Sequence, residues 1–231
     1  MKKEGFLLIN KPEGMTSYDV IRYIKPIFGK TKIGHAGTLD PFASGLLLVA
    51  VGAPFTKQLA KLQLLNKRYV FRMVLGLETD TLDCDGKLTK TSDASSVDKG
   101  TVEAIIQNFL GPQKQLPPQF SAKKKDGKKA YEVARKGGVI TLDPVDIYIE
   151  QFQLLAFKGG KQPLVDCDVT CSKGTYIRTL ASDLAKACGT VSYTKSLIRT
   201  AIGPFQLDQA HDLKDLNRDT IHEQFCYELQ H

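Results

Sequence analysis

Gly34-His35-Ala36-Gly37-Thr38-Leu39-Asp40-Pro41-Phe42-Ala43-Ser44 runs directly into Gly45-Leu46-Leu47-Leu48-Val49-Ala50-Val51-Gly52, and this junction organises the reading of the whole chain. The second stretch is an unbroken apolar run bracketed by glycines, the pattern of a buried strand. The first has no periodicity. Gly34 and Gly37 permit positive φ and close approach of another backbone. Pro41 pushes Asp40 out of the helical region toward an extended geometry, which fixes where its carboxylate points. A carboxylate held rigidly ahead of a buried strand suits covalent or acid/base chemistry. Asp-Pro is equally an ordinary turn dipeptide, so both readings stand at this point. Thr38 offers a loop-bracing hydroxyl, and His35 could be a ligand, a base or a stacking ring.

Outward from this junction, Phe6–Ile9 reads as a strand ending in the turn Asn10-Lys11-Pro12-Glu13-Gly14. Thr16 or Ser17 can cap a helix carrying Val20, Ile21 and Ile24, which Pro26 is predicted to end or kink. Residues 29–44 read as a loop, and Leu59, Leu62 and Leu65 mark a second helix. From Lys67 to Leu77, Tyr69, Phe71, Met73 and Leu75 alternate with Arg68 and Arg72, predicting a long half-buried strand. An acidic turn follows at Thr79–Gly86, and Thr101–Leu110 is predicted helical with Val102, Ile105, Ile106 and Phe109 inward. Residues 111–128 form a Pro- and Lys-rich loop, then Tyr131–Lys136 a short helix. Strands are predicted around Val145–Phe157, Leu164–Cys171 and Val191–Ile202. A helix lined by Tyr176, Leu180, Leu184 and Ala187 lies between the last two, and the chain from His211 onward reads as helical. Strands outnumber helices and several are joined by short turns, which predicts a mixed or antiparallel sheet in one domain.

At 231 residues, 42% hydrophobic and 25% charged, the chain has ordinary globular composition, which excludes disordered, collagen-like and disulfide-scaffold classes. No apolar run approaches the ~20 residues of a membrane span, and the apolar stretch after Met1–Gly5 is too short for a secretory signal. The five cysteines are odd in number without a C-x-x-C pair, and most lie far from the four histidines. Reduced thiols, no metal site and a cytoplasmic location are the expectation. Net charge is +7, concentrated as +7 in residues 1–70 and +6 in residues 113–136. That clustering points to a polyanionic partner.

The wording of the motifs is more specific. Asn10-Lys11-Pro12-x-Gly14-x-Thr16-Ser17 and the stretch from Gly34 to Gly45 closely resemble the two leading motifs of the TruB family, the tRNA pseudouridine-55 synthases. The likeness continues through Lys67-Arg68-Tyr69, Leu75-Gly76-x-x-Thr79-Asp80-Thr81-x-Asp83-x-x-Gly86 and Pro117-Pro118-x-x-Ser121-Ala122-x-Lys124-x-x-Gly127. It goes on through Ser172-Lys173-Gly174-Thr175-Tyr176-Ile177-Arg178 and ends at Leu197-x-Arg199-Thr200-x-x-Gly203-x-Phe205.

The resemblance implies an α+β pseudouridine-synthase fold, a mixed, largely antiparallel central sheet flanked by helices and loops around an active-site cleft. It implies isomerisation of a T-loop uridine of tRNA with no cofactor and no metal. Asp40 falls on the family's nucleophile. Arg178 falls on its active-site arginine, expected to keep Asp40 ionised, although from its context alone it reads as a surface residue. Tyr69 falls on its active-site tyrosine. His35 would help fill the space left by an everted base, Tyr176 and Leu197 would line the uracil pocket, and Asp83 would lie near the active site. Lys11 would either contact phosphate or support the pocket by a salt bridge. Lys124 and Lys128, within a run that also holds Lys123, Lys125 and Lys129, would grip phosphates of the T-arm stem-loop.

Residues 1–205 are expected to form the catalytic domain of a monomer. Residues 206–231, with six Asp/Glu against Lys214 and Arg218, are expected to form a short acidic tail in place of the family's PUA domain. A non-catalytic tRNA-binding or folding module on the same scaffold is the alternative. The catalytic subunit of a guide-RNA particle is a third reading, disfavoured by the missing accessory domain.

Overall fold

Alternating and continuous apolar runs dictate which segments pair. The structure, a computed structural model, describes residues 4–121, 123–125, 127–134, 137–216, 221 and 225. The chain forms two compact units, residues 1–70 with 197–231, and residues 71–196. The first unit begins with β1 (Gly5–Lys11), α1 (Ser17–Phe28), β2 (Ile33–Ala36), β3 (Ser44–Val51), α2 (Ala53–Thr56) and α3 (Leu59–Leu62). The chain passes into the second unit within β4 (Lys67–Leu75). There follow β5 (Leu77–Thr79), β6 (Leu88–Thr91), α4 (Lys99–Ile106), β7 (Gly111–Gln115), β8 (Lys124–Lys125), β9 (Lys128–Lys129) and α5 (Ala130–Ala134). The long β10 (Val145–Lys158) and β11 (Leu164–Cys171) precede α6 (Ile177–Ala187), and the chain returns to the first unit within β12 (Ser192–Ile202). Short β13 (Phe205–Gln206) and β14 (His211–Asp212) complete the described strands.

In the first unit β1 and β3 are antiparallel, with Leu8 opposite Leu48, and β2 adds antiparallel to β3. β14 joins β1, and β12 joins β3, both in parallel. The apolar run of β3 is explained by burial on both faces. Leu47, Val49 and Val51 meet Leu7, Ile9 and the Val20, Ile21, Ile24 stripe of α1. Leu46, Leu48 and Ala50 meet Phe6, Leu8, Leu62 and Phe205 on the other side. In the second unit β10 pairs antiparallel with both β11 and β7. Phe152 anchors its core, 6.2 Å from the rings of both Phe71 and Phe109. The expected α+β architecture with a mixed, largely antiparallel sheet is what the protein has. Among the described residues no helix is long and apolar enough to cross a membrane.

Several local expectations are corrected. β2 lies inside the stretch read as loop; four residues rich in Gly and His carry no periodicity, and the edge of β3 supplies their order. Pro26 does not stop α1, which continues to Phe28. The second helix is two single turns, α2 and α3. The helix read over Thr101–Leu110 starts earlier, at Lys99 behind the cap Asp98, and its last turn tightens to a 3-10 turn at Gln107–Phe109. The Pro- and Lys-rich segment contains β7 and the β8–β9 hairpin. Ala187 is exposed. His211–Asp212 is a strand and Leu213–Asp215 a 3-10 turn, where residue pattern predicts helix. Ala122, Asp126, Arg135, Lys136 and Cys226, together with 217–220, 222–224 and 226–231 of the acidic tail, lie outside the described residues.

Gly45 shows why a glycine opens the buried strand. Its φ is +101°, and a Cβ there would fall 2.4 Å from the Arg199 carbonyl oxygen of β12, its parallel neighbour. Backbone cannot yield as a side-chain tip can. Gly45→Ala is expected to cost roughly 2 kcal/mol or more in urea unfolding; an unchanged midpoint would mean that β3 and β12 are not in this contact.

Candidate functional site

Asp40 is half-buried on the loop between β2 and β3, and the residues on both sides of it are fixed through their backbones. Before it, the buried Ser17 hydroxyl accepts from the Leu39 N–H at 2.9 Å and donates to the Leu39 carbonyl at 3.2 Å. Ser17 is free to do so because Thr16 is the helix cap, in a reciprocal capping box with Asp19. After it, the Pro41 carbonyl accepts from the Gly14 N–H at 2.8 Å and from the Lys11 ammonium at 3.4 Å. The Ala43 N–H closes the turn onto the Asp40 carbonyl at 3.2 Å. The Asn10–Gly14 turn and the start of α1 therefore serve as the mount for the Asp40 loop.

Lys11 is fully buried, 0% exposed. Its ammonium donates to three carbonyls, Pro12 at 2.8 Å, Met15 at 2.7 Å and Pro41 at 3.4 Å. A side chain so enclosed braces the loop from within, and the phosphate contact considered for it is set aside. Burial lowers its pKa from 10.5 to about 8; Asp40 is the neighbouring charge that most strongly opposes the shift, with Glu13 next, while Arg199 adds to it. Unfolding therefore takes up protons between about pH 8 and 10.5, and the stability this lysine contributes rises across that window. Urea titrations should show wild type gaining on Lys11→Met as pH climbs from 8 toward 10.5; a constant difference would rule out the buried, proton-weakened ammonium.

Arg199, 1% exposed, is a second internal brace. It donates from Nε to the Leu46 carbonyl at 2.8 Å and from Nη2 to the Gly37 carbonyl at 3.0 Å. Gly37 has φ +77°, and a Cβ there would lie 3.3 Å from Arg199 Nη1. Lys67 is buried nearby and caps the Gln63 and Leu65 carbonyls, both at 2.6 Å. His35 is on β2, opposite Val49. Burial, with Arg199 adding to it, lowers its pKa, so the ring is neutral near pH 7. Its Nδ1 is buried without a hydrogen-bond partner among the described residues. Tyr69 lies on the buried face of β4 with Phe71 and Met73, as the alternation predicts, and Leu197 is buried on β12.

The second unit holds a different group. Arg178, read from its sequence context as a surface residue at the start of α6, is 3% exposed, because the first turn of that helix is packed inward. Its guanidinium donates to the Thr81 carbonyl at 2.7 Å and the Phe120 carbonyl at 2.9 Å, and it pairs with Asp83 at 3.4 Å. Asp83, 6% exposed, also accepts from the Thr81 hydroxyl at 2.6 Å and the Asp85 N–H at 3.1 Å. Leu82, just before it, takes a left-handed φ of 61°. Tyr176 caps α6 and is held by the buried Gln115, whose amide accepts from the Tyr176 N–H at 2.8 Å and donates to its carbonyl at 3.0 Å. Lys124 and Lys128 lie on the β8–β9 hairpin, in register with Lys129 and Lys125, and their side chains are outside the described residues.

Each unit thus gathers its own candidates: Asp40, Lys11, His35, Tyr69 and Leu197 in the first, and Asp83, Tyr176, Arg178 and the lysine hairpin in the second. Sequence reading does not single out Ser17, Arg199 and Gln115 as supports. Arg199 and Ser17 fall within the quoted motifs, whereas Gln115 carries no local signal. Chemically, the Asp40 loop presents a carboxylate on a fixed backbone, and Arg178 holds a permanent positive charge out of bulk water.

The family model described as TruB family pseudouridylate synthase (N terminal domain) matches residues 25–177. A protein of Psychrobacter arcticus named tRNA pseudouridine synthase B is 40% identical over 235 residues, covering 99% of this chain and 60% of the relative. One of the same name from Hydrogenovibrio crunogenus is 40% identical over 232 residues, covering 100% of this chain and 75% of the relative. The crystal structure of a Cbf5-Nop10-Gar1 complex matches with a TM-score of 0.70 at 29% identity, over 92% of this chain and 53% of that one. The chain therefore spans less than two thirds of the Psychrobacter protein and about half of the solved one.

Proposed function

The chain belongs to the TruB family of pseudouridylate synthases, and from that membership we propose that it converts a uridine of tRNA, in the T-loop at position 55, to pseudouridine in the cytoplasm. The N1–C1′ bond breaks, the uracil turns while held, and C5 bonds to C1′. N1 gains a proton and C5 loses one, so the product is an isomer and nothing is oxidised or hydrolysed.

The observation that carries the reading is the mounting of Asp40, with Leu39 and Pro41 held by Ser17, Gly14 and Lys11. A reaction at a sugar carbon needs a carboxylate placed to within a fraction of an ångström, and backbone bonds on both sides supply that placement. Asp40 acts on the ribose, by adding to C1′ or through a glycal. Tyr69 stacks on the base and its hydroxyl assists loss of the C5 proton. Arg178 supplies fixed positive charge for the carboxylate chemistry, and Asp83 orients it. Tyr176 and Leu197 line the uracil. The target base leaves its stack at a cost of a few kcal/mol, and a neutral, part-buried His35 is suited to fill the gap without adding charge. Lys124 and Lys128 bind backbone phosphates, giving affinity that weakens with salt.

The test is incubation with an unmodified tRNA transcript carrying tritium at uridine C5. Tritium appearing in water, with the product mapped to the T-loop, is the expected result. Tight tRNA binding without tritium release would instead identify a folding module.

A further inference from the structure

Outside the residues assigned to the reaction, the second unit carries an open pocket of about 260 Å³ where the β10–β11 turn meets β12 and the end of β4. Val74 and Leu164 form its apolar floor, and Lys158, Lys195, Tyr193 and Gln162 its walls. The β10–β11 register sets Lys158 directly opposite Leu164, so both side chains rise on one face of the sheet. Lys158 and Lys195 are exposed, and among the described residues neither ammonium has an ion-pair partner. Asp166, two residues along from Leu164 on the same face, is already engaged by the Arg72 guanidinium at 2.6 and 2.7 Å.

Two exposed lysines lining one pocket, with no ion-pair partner among the described residues, set a local charge of +2 there. The pocket adds a phenol and a carboxamide as neutral donors and has no lining carboxylate. That set recognises a phosphate. An enclosed nest of backbone N–H groups would suit a small free anion; an open pocket with exposed ammonium groups suits one phosphate of a chain that passes over it. We propose that this pocket is an accessory site for a backbone phosphate of RNA. The inference rests on the RNA-substrate reading above and extends the protein's RNA surface to the β10–β11 turn and to Tyr193 and Lys195 at the start of β12, to which no role has been given.

The test has two parts. Amine acetylation of the intact protein is compared with no addition, with unmodified tRNA and with inorganic phosphate at matched ionic strength, and modification of Lys158 and Lys195 is read by mass spectrometry. Severalfold protection by tRNA, with none from phosphate, is expected. Equal protection by phosphate would make this a free-anion site, and no protection by either would leave the pocket without a phosphate; both overturn the proposal. In parallel, the Lys158→Glu/Lys195→Glu double variant should bind tRNA severalfold more weakly and with a slope of log K against log salt shallower by roughly 1. The conservative Lys158→Arg/Lys195→Arg pair should restore both values. Weaker binding at unchanged salt slope, or with a lowered thermal midpoint, would attribute the loss to misfolding and count against the site. If wild type releases no tritium, the enzymatic reading fails, and the acetylation comparison still decides this one.

Discussion

Asp40→Asn is expected to reduce tritium release from C5-labelled tRNA by at least about 10³-fold, roughly 4 kcal/mol of barrier, while tRNA affinity stays within a few-fold. The amide matches the carboxylate in shape and keeps the bonds of the loop that run through Leu39, Asp40 and Pro41 backbone atoms. It removes only the negative charge and the nucleophilic or basic oxygen, which the proposed step at the ribose requires. Stability should hold to within about 1 kcal/mol, since the substitution cuts none of those backbone bonds. A small loss has a defined source. Asp40 is the leading charge that supports protonation of the buried Lys11, and without it that ammonium becomes harder to keep charged. Turnover near wild type in this variant would remove Asp40 from its role. A large drop in stability or in RNA binding would show that its carboxylate is structural.

The second large effect concerns the buried ion pair of the other unit. Arg178→Met should destabilise the protein by about 3–5 kcal/mol, because it strands the Asp83 carboxylate in a site 6% exposed. It also deprives the Thr81 and Phe120 carbonyls of their donor. Asp83→Asn alone should cost less, since the carboxamide it introduces retains an oxygen for the Thr81 hydroxyl and the Asp85 N–H. Adding Asp83→Asn to Arg178→Met should recover part of the loss, giving a coupling of about 1–3 kcal/mol in the double-mutant cycle. Arg178→Lys should fall between, as a lysine brings the charge without the planar fork that reaches two carbonyls and a carboxylate together. Urea unfolding of the four variants decides it: additive costs would mean that Arg178 and Asp83 do not share this contact.

How far these sites can be seen from residue order differs by residue. The alternation around Tyr69 is enough to place it on a buried strand face. Arg178 reads in its local context as a surface side chain, and only the packing of the first turn of α6 shows it to be enclosed. Lys11 admits a phosphate contact or a salt bridge from residue order; instead its buried ammonium donates to three backbone carbonyls, a support that residue order does not show. β2 is invisible to periodicity because four residues of Ile, Gly, His and Ala have no pattern of their own. β7 is hidden by Pro112 and Lys114 on a strand with only one buried position.

Burial periodicity is legible because it is a local property: side chains alternate along a strand and recur every three or four residues on a helix, whatever the rest of the chain does. The buried run of β3, the α1 stripe and the two faces of β4 therefore follow from residue order. The partners of the buried polar groups do not. Ser17 reaches Leu39 across 22 residues, Gln115 reaches Tyr176 across 61, and Arg199 reaches Gly37 across 162. Such contacts depend on which strands lie side by side, and that is decided by the joint burial of many apolar faces. The sequence names the groups able to do chemistry; tertiary structure alone decides which carbonyls and carboxylates hold them still, because a buried charge takes its partner from whatever backbone the fold brings within reach.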